Sequence, residues 1–166
     1  MSNKSILKSI DPSSKGKFKH KDDATKELES LSRELYDKLY LMFAHDKHSL
    51  LIILQGIDTS GKDGTIRHFF SSANPQGLTV HSFKEPSEEE LRHDFLWRCH
   101  RWTPAAGRTA IFNRSYYEDV TTTLVHPELL EKQHLPENII ARDDLIERRY
   151  KRINEFGVSE ASVQLL

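Results

Sequence analysis

The chain has 166 residues, 37% of them hydrophobic, which suffices for one buried core and is too short for two domains of ordinary size. Its 24 basic and 25 acidic residues give a formal charge of −1, which argues against a binder of nucleic acid or membrane surfaces. A single cysteine, Cys99, excludes an internal disulfide and fits a reducing compartment. No stretch reaches the roughly 18 apolar residues of a membrane span, and the N-terminus lacks the apolar core of a secretory signal. We therefore expect a cytoplasmic protein with no nucleic-acid or membrane partner.

The N-terminal part divides into a basic arm and a helix. Residues 1–21 hold six lysines and one aspartate without a helical or strand period, which predicts a flexible arm. This arm is either a solvated tail or a segment that helps to hold a polyanion. Apolar residues at steps of three and four then predict an amphipathic helix over 22–45: Ala24, Leu28, Leu31, Leu35, Leu39 and Met42. Asp22 and Asp23 stand at its start, where acidic residues suit capping and the helix dipole.

Three apolar runs predict the strands of a parallel sheet. Leu50–Leu54 is continuously apolar, as expected for a strand buried on both faces. Residues 79–83 and 109–112 give two further strands, and helical patterns separate all three. The alternation predicts an α/β fold, a parallel sheet flanked by helices.

Two helical segments follow the second and third strands. In the first, Ser87 and Glu90 have the spacing of a capping box. The residues that share one face of this segment are Leu91, Phe95, Cys99 and Trp102. Cys99 is therefore predicted to fill the core rather than to act as a nucleophile. A last helix is predicted over 137–156, with an apolar stripe formed by Ile139, Ile146, Tyr150 and Ile153.

The first strand runs directly into a glycine-rich motif. Gly56, Gly61 and Lys62 form the pattern G-x-x-x-x-G-K between a buried strand and a helix, as a phosphate-binding loop requires. The glycines let backbone N–H groups face phosphate oxygens, and the lysine brings a cation to the transferred group. The alternative is an ordinary glycine-rich turn. Where such loops have a Ser or Thr that binds magnesium, this chain has Asp63, and Asp58 adds an acid within the loop. Carboxylates are therefore predicted to share in metal binding.

Polar and charged residues cluster where the third predicted strand ends. Asn113, Arg114, Glu118 and Asp119 lie there, and ligands of α/β folds bind at the carboxyl ends of strands. We therefore expect these residues in the same crevice as Lys62. For the two acids a second interpretation stays open, because acidic residues also suit the first turn of a helix.

Three segments together resemble the polyphosphate kinase 2 family: GIDTSGKDGT, NPQGLTVHSFKEPSEEELRHDFLWRCHR and IFNRSYYEDV. The resemblance covers residues 22–156 and implies a phosphate-loop kinase-like fold with a parallel sheet and a helical lid. It further implies Mg²⁺-dependent phosphoryl transfer between inorganic polyphosphate and nucleotides. The form FNRSYYED resembles the branch that phosphorylates adenosine mono- and diphosphate, so adenine nucleotides are the expected substrates. The resemblance also implies a homo-oligomer.

The resemblance assigns roles residue by residue. Asp58 would orient or activate the attacking phosphate and help to hold the metal, and Lys62 and Arg114 would be the other catalytic residues. The phosphate-binding residues would be Gly56, Gly61, Lys62, Asp63, Gly64, Thr65 and Arg98. The second motif would comprise Asn113, Tyr117, Glu118 and Asp119.

Two of these assignments carry alternatives. Asn113 stands where the other branch of the family has an acidic residue, so Glu118 or Asp119 would replace that metal ligand, and Asp119 is the residue we predict. Arg98 either faces substrate phosphate or forms an ion pair with Asp94 one turn earlier, worth only about 0.3–0.5 kcal/mol if exposed.

The resemblance stops at Phe156, because the following GVSEASVQLL does not match the family's continuation. We therefore distinguish a basic arm (1–21), a partial phosphate-loop kinase-like domain (22–156) and an atypical tail (157–166). Since the family carries further strands and a basic lid, we expect a truncated, incomplete fold. Leu50–Leu54 would then have an unpaired edge that favours aggregation, and the chain would have little or no transferase activity.

Three functions are open on the sequence. The first is a polyphosphate-dependent nucleotide phosphotransferase. The second is a non-catalytic remnant that binds phosphate weakly or associates with full-length copies. The third is a conventional nucleotide kinase with a nucleoside triphosphate donor, against which the segments FNRSYYED and LWRCHR argue.

Overall fold

The structure is a computed structural model of the chain. It describes residues 11, 14, 16–18, 20–57, 59–71, 73–141, 143–159 and 163–165. Asp58 and most of the predicted basic arm lie outside the described residues. The elements follow one another as α1 (Lys21–His45), β1 (Leu50–Leu54), α2 (Lys62–Phe69), β2 (Leu78–Ser82), α3 (Glu88–Leu91), α4 (Trp97–His100), β3 (Thr109–Asn113), α5 (Tyr116–Val125), a 3-10 helix (Pro127–Gln133), α6 (Glu137–Ile140), α7 (Leu145–Ser159) and β4 (Val163–Leu165).

The strands form one parallel sheet in the order β2-β3-β1-β4. The three predicted strands are confirmed as β1, β2 and β3, with β2 displaced by one residue toward the N-terminus. In the register of the sheet, Thr109 of β3 lies between Leu50 of β1 and Leu78 of β2. The carboxyl ends of these three strands therefore meet at one edge of the sheet.

Both faces of β1 are covered, which explains its continuous apolar sequence. Leu51 and Ile53 pack in a core on one face, and Ile52 packs with Phe70 on the other. Cys99 is fully buried in the first of these cores, as predicted. Burial raises the pKa of its thiol to about 12, so the group behaves as an apolar side chain at neutral pH.

The edge of β1 that was expected to be unpaired is covered by β4. Val163 lies beside Leu51 and Leu165 beside Ile53, in parallel register. The prediction of an exposed, aggregation-prone edge at Leu50–Leu54 is therefore wrong. Strand pairing uses backbone N–H and C=O groups, so the tail does not need the alternating side chains on which that prediction relied.

The helical segment after β2 is two short helices rather than one. The capping box is confirmed: Ser87 Oγ accepts the N–H of Glu90, and Glu90 Oε2 accepts the N–H of Ser87. Between α3 and α4, Asp94 Oδ1 accepts the N–H of Leu96 and starts a new turn. Because of this break, Trp102 does not share the buried face of Cys99; it is 38% exposed.

The helix predicted over 137–156 is also divided, into α6 and α7. The chain turns at Ala141, and the carbonyl of Asp144 accepts the N–H of Arg148 as the new helix begins. Tyr150, predicted in the apolar stripe, is exposed, whereas Arg149 beside it is buried at 5% exposure.

The predicted helix α1 is confirmed, but none of its residues is buried. Leu35 packs against the core that contains Ile52, whereas Leu28 and Leu31 are exposed. Asp22 and Asp23 lie in the first turn and suit the dipole, but no side chain caps the helix. In the described part of the chain, every helix lacks the length or the apolarity that a membrane crossing needs.

Candidate phosphate-binding site

The glycine loop, residues 56–61, joins β1 to α2 at the carboxyl edge of the sheet. Gly61 is the N-cap of α2 with a φ of +89°, a left-handed conformation that glycine adopts without strain. At Gly56 an added Cβ would lie 2.8 Å from Ser60 Oγ and 3.2 Å from Ser60 Cβ, so a larger residue would require the Ser60 side chain to move. The predicted strand–loop–helix unit is therefore present, and the unpaired N–H groups of the first turn of α2 begin where the loop ends.

Lys62 folds back across the glycine loop. Its Nζ donates to the carbonyl oxygens of Gly56 at 2.6 Å and Ile57 at 2.7 Å, and to Ser60 Oγ at 3.3 Å. An ammonium group has three donors, so all of them are used within the loop. A phosphate bound in the loop would therefore have to replace these acceptors as the hydrogen-bond partner of Lys62 Nζ.

Asp63 is linked to the neighbouring strands. At the end of β3, Asn113 Nδ2 donates to Asp63 Oδ1 at 2.7 Å, and it also lies 3.4 Å from Ser82 Oγ at the end of β2. The carboxylate can only accept, which sets the orientation of the amide. Asn113 Oδ1 is buried and accepts no hydrogen bond from the described residues. The carboxylate of Asp63 and the amide of Asn113 therefore meet through the amide nitrogen where the strand ends meet, and the amide oxygen has no hydrogen-bond partner among the described residues.

A second set of contacts joins the loop to α5. Arg114 has a φ of +65°, a conformation that costs a non-glycine residue about 1 kcal/mol. Its N–H donates to Leu54 O at 2.9 Å and its Nη1 donates to Glu118 Oε1 at 3.0 Å. Gln55 Nε2 donates to Glu118 Oε2 at 2.6 Å, and Ser115 Oγ donates to Gln55 Oε1 at 3.3 Å. Glu118 thus lies in the first turn of α5 and also takes part in the crevice, so its two interpretations are compatible.

The remaining predicted loop and second-motif residues lie nearby. Gly64 and Thr65 are in the first turn of α2, where Thr65 Oγ1 donates to Gly61 O at 3.1 Å. Tyr117 is in the first turn of α5 and packs against the core that contains Cys99. Burial raises the pKa of the Tyr117 hydroxyl, which therefore stays protonated at neutral pH.

A cavity of about 300 Å³ adjoins the crevice, at the lower end of the range of roughly 300–1,000 Å³ usual for small-molecule sites. Apolar side chains form one part of its wall: Phe83, Pro86, Leu91, Phe95 and Leu129. Cationic side chains form another part: Lys84, Arg98, Arg114 and Lys132. The wall also includes the acids Glu85, Glu118 and Asp119, of which Glu118 pairs with Arg114 and Asp119 with Arg149. The cavity therefore suits a ligand with an apolar portion and an anionic portion.

Arg98 reaches the cavity from α4. Its Nη2 donates to Lys84 O at 2.8 Å, its Nε lies 3.4 Å from Glu90 Oε1, and the guanidinium lies over the Phe83 ring. The alternative ion pair with Asp94 is therefore wrong, because Glu90 is the partner. The arginine side chain is only 15% exposed, so water screens its charge weakly.

Asp119 is engaged with α7 and the 3-10 helix. Its Oδ2 accepts from Arg149 Nη1 at 2.6 Å, and its Oδ1 accepts from Gln133 Nε2 at 2.8 Å. Burial raises the pKa of Asp119, and Arg149 acts in the opposite direction. Both carboxylate oxygens have partners, and the role of Asp119 as a metal ligand stays a prediction. Among the residues that the structure describes, which exclude Asp58, no three His, Cys, Asp or Glu side chains cluster as a metal site would.

The structure brings together two motifs that lie 50 residues apart in sequence, through the contacts of Asp63 with Asn113 and of Gln55 with Glu118. Sequence reasoning missed Gln55, Gln133 and Arg149. A signal existed for Arg149, which follows Ile146 by three residues and precedes Ile153 by four, so that it falls on the buried face of α7. Gln55 and Gln133 carry no comparable local signal.

The chain matches known proteins over most of its length. The family model of polyphosphate kinase 2 matches residues 18–156. The ADP-polyphosphate phosphotransferase of Rhodopseudomonas palustris is 42% identical over 144 residues, which are 87% of this chain and 48% of that protein. The AMP/ADP-polyphosphate phosphotransferase of Meiothermus ruber is 40% identical over 151 residues, covering 90% and 52% of the two chains.

A solved structure has the same fold over nearly the whole chain. Polyphosphate kinase 2 from Arthrobacter aurescens TC1 superposes with a TM-score of 0.83 at 34% identity, covering 99% of this chain and 56% of that one. The chain thus spans about half the length of the relatives that it matches.

Proposed function

The chain belongs to the polyphosphate kinase 2 family, and on this premise we propose that its crevice serves phosphoryl transfer between inorganic polyphosphate and adenine nucleotides. One observation carries the proposal: hydrogen bonds at the end of β3 and the start of α5 connect the segment that contains Lys62 to a cavity with apolar and charged walls. Asn113 bonds to Asp63, and Glu118, which lines the cavity with Arg114, bonds to Gln55. In the direction of nucleotide phosphorylation, the terminal P–O–P bond of polyphosphate breaks. A new bond forms from that phosphorus to a phosphate oxygen of AMP or ADP.

The protein's part in such a reaction is positioning and charge stabilisation. The N–H groups of the glycine loop and of the first turn of α2 would bind phosphate oxygens. Lys62 would give up its contacts with Gly56 O and Ile57 O and place its charge on the transferred group. Arg114, held by Glu118 at 3.0 Å, would contact phosphate from the other side of the crevice.

The cavity would hold the nucleoside portion of the acceptor. Its apolar wall, which includes Phe83 and Phe95, suits the faces of a purine, and Arg98 suits a phosphate. The choice of adenine rests on the names of the two curated relatives, which specify ADP and AMP/ADP. Guanine remains a competitor, because another relative, 32% identical, is named a GDP-polyphosphate phosphotransferase.

The donor set at the strand ends fits Mg²⁺. Asp63 offers a carboxylate, and the Asn113 amide would offer its oxygen on the same side after a half-turn that moves Nδ2 away from Asp63. Mg²⁺ prefers such oxygen ligands. We propose that these two residues hold the ion together with Asp58. When bound, the ion would neutralise charge on the phosphate oxygens.

The location and assembly of the protein stay predictions. The cytoplasmic location is proposed on the single cysteine, which fits a reducing compartment. The homo-oligomer expected from the family is a separate prediction.

A donor assay tests the proposed function. Because the chain spans about half of its relatives, we would join it after Phe156 to the C-terminal part of the R. palustris relative. This chimera is supplied with Mg²⁺ and with AMP or ADP, and either polyphosphate or ATP as donor. We expect product from polyphosphate. Transfer from ATP to AMP without transfer from polyphosphate would favour a conventional nucleotide kinase.

A further inference from the structure

A buried guanidinium stands behind the wall of the cavity. Arg149 belongs to α7, is 5% exposed and does not itself line the cavity. Three side chains that it touches do line the cavity: Phe95, Asp119 and Gln133. These come from the α3–α4 connection, α5 and the 3-10 helix, so one residue braces three separate elements.

The polar contacts of Arg149 form a closed ring. Its Nη1 donates to Asp119 Oδ2 at 2.6 Å, and its Nη2 donates to Gln133 Oε1 at 2.5 Å. Gln133 Nε2 donates to Asp119 Oδ1 at 2.8 Å and closes the ring. A guanidinium only donates hydrogen bonds and a carboxylate only accepts them, so the Gln133 amide must turn its oxygen to Arg149 and its nitrogen to Asp119. The ring therefore holds the Gln133 amide in a single orientation.

The same guanidinium also contacts an aromatic wall. Its Cζ lies 5.0 Å from the ring centroid of Phe95, within the range of a cation–π contact. The planar guanidinium of arginine can donate hydrogen bonds in two directions and cover an aromatic face at the same time. A lysine in this position would keep the charge near Asp119 and lose the simultaneous contacts with Gln133 and Phe95.

We propose that Arg149 is a positioning residue of this cavity, which sets its affinity for the nucleoside portion of a nucleotide by fixing Phe95, Asp119 and Gln133. The ligand named here rests on the proposed function. The ring pairs its cation with its anion, so this part of the wall has no unpaired charge to offer a further phosphate. Phosphate binding at the glycine loop is a separate matter, because Lys62 takes no part in the ring.

The test compares two ligands on the 166-residue chain. AMP and tripolyphosphate are titrated separately by calorimetry into the parent, Arg149→Lys and Gln133→Ala. Gln133→Ala opens the ring but leaves Asp119 paired with Arg149, so it does not strand a buried charge. The matched control is Arg148→Lys, whose arginine is 55% exposed and 3.9 Å from Asp144.

We expect both ring variants to weaken AMP binding about tenfold, because cavity side chains that the ring no longer holds must be ordered when the ligand binds. Tripolyphosphate binding should stay within about twofold of the parent, and the control should match the parent for both ligands. Unchanged AMP affinity in both ring variants would overturn the inference. An equal loss for both ligands would also overturn it, because it would indicate a general structural role.

A second measurement separates this inference from the proposed function. ¹⁵N relaxation of the Gln133 side-chain amide should show an order parameter near that of rigid backbone in the parent and a lower one in Arg149→Lys. A mobile amide in the parent would overturn the inference. A rigid amide in a parent that binds neither AMP nor ADP would contradict the proposed function and leave the positioning by Arg149 supported.

Discussion

Asn113, the last residue of β3, donates through Nδ2 to Asp63 Oδ1 at 2.7 Å and so holds the residue that directly follows Lys62. This bond joins the two motifs across the carboxyl ends of neighbouring strands, where α/β folds place their ligands. It leaves Asn113 Oδ1 buried and without a hydrogen-bond partner in the described part of the chain. Under the proposed function, this pair would hold Mg²⁺ together with Asp58.

The first prediction concerns Asp63→Asn. The new amide can still accept from Asn113 Nδ2, so the fold should persist while one negative charge is lost. We expect the Mg²⁺ concentration that half-saturates tripolyphosphate binding to rise about tenfold. Titration calorimetry at graded Mg²⁺ measures this, with Asp37→Asn on the exposed surface of α1 as control. Equal Mg²⁺ dependence in Asp63→Asn and the parent would contradict the assignment.

The sheet and the glycine loop were predictable because their determinants are local. Leu50–Leu54 is apolar at every position since both faces of β1 are covered. The glycine spacing reflects the left-handed backbone at Gly61 and the close approach of the Ser60 side chain at Gly56. The capping box at Ser87 and Glu90 is equally local. Such features depend on residues a few positions apart, which a sequence displays directly.

The parts that were missed depend on contacts between distant elements. Arg149 is buried with hydrogen bonds to Asp119 and Gln133, which lie 30 and 16 residues earlier in the sequence. The sequence of α7 does not indicate these partners. The sequence predicts Tyr150 in the apolar stripe, because aromatic residues are buried more often than arginine. The pairing of β4 with β1 uses backbone groups, so side-chain periodicity at the tail carried no signal for it.

The second prediction concerns the stability of the buried pair Arg149–Asp119. Arg149→Met leaves a buried carboxylate without its cation and should lower the free energy of unfolding by about 3 kcal/mol. The double variant Arg149→Met/Asp119→Leu should recover much of this loss. Urea unfolding of the parent, Arg149→Met, Asp119→Leu and the double variant gives the coupling energy between the two residues. Additive effects would show that the two residues act independently.

The third prediction concerns Cys99, whose thiol is fully buried and has its pKa raised to about 12 by burial. Iodoacetamide attacks the thiolate, so alkylation of the folded protein should be slow and should become fast in denaturant. Mass spectrometry after timed pulses measures the modified fraction at each urea concentration. Rapid alkylation of folded protein would contradict the placement of Cys99 in the core.

The fourth prediction concerns His81, which stacks on Trp102 with ring centroids 4.0 Å apart. Burial lowers its pKa below the ordinary 6.5; Arg98 and Arg101 lower it further, and Glu90 opposes them. The unfolded chain therefore takes up the proton more readily, and stability should be lost as pH falls from about 6.5 through the folded-state pKa. His81→Phe keeps a stacked ring and should flatten this dependence. Identical melting curves against pH for both proteins would exclude His81 as the cause.

The central claim is that Lys62 and the glycine loop act on the phosphoryl group of polyphosphate, and turnover of the chimera with the R. palustris segment tests it most directly. The measurement is ATP formation from ADP, polyphosphate and Mg²⁺ by the parent chimera, Lys62→Ala and Lys151→Ala, whose lysine is 78% exposed on α7. Removing a cation from the transferred group should cost about a hundredfold or more in rate, whereas the exposed control should stay within about twofold. Circular dichroism should show the same fold in all three. Turnover by Lys62→Ala within a few-fold of the parent would contradict the account.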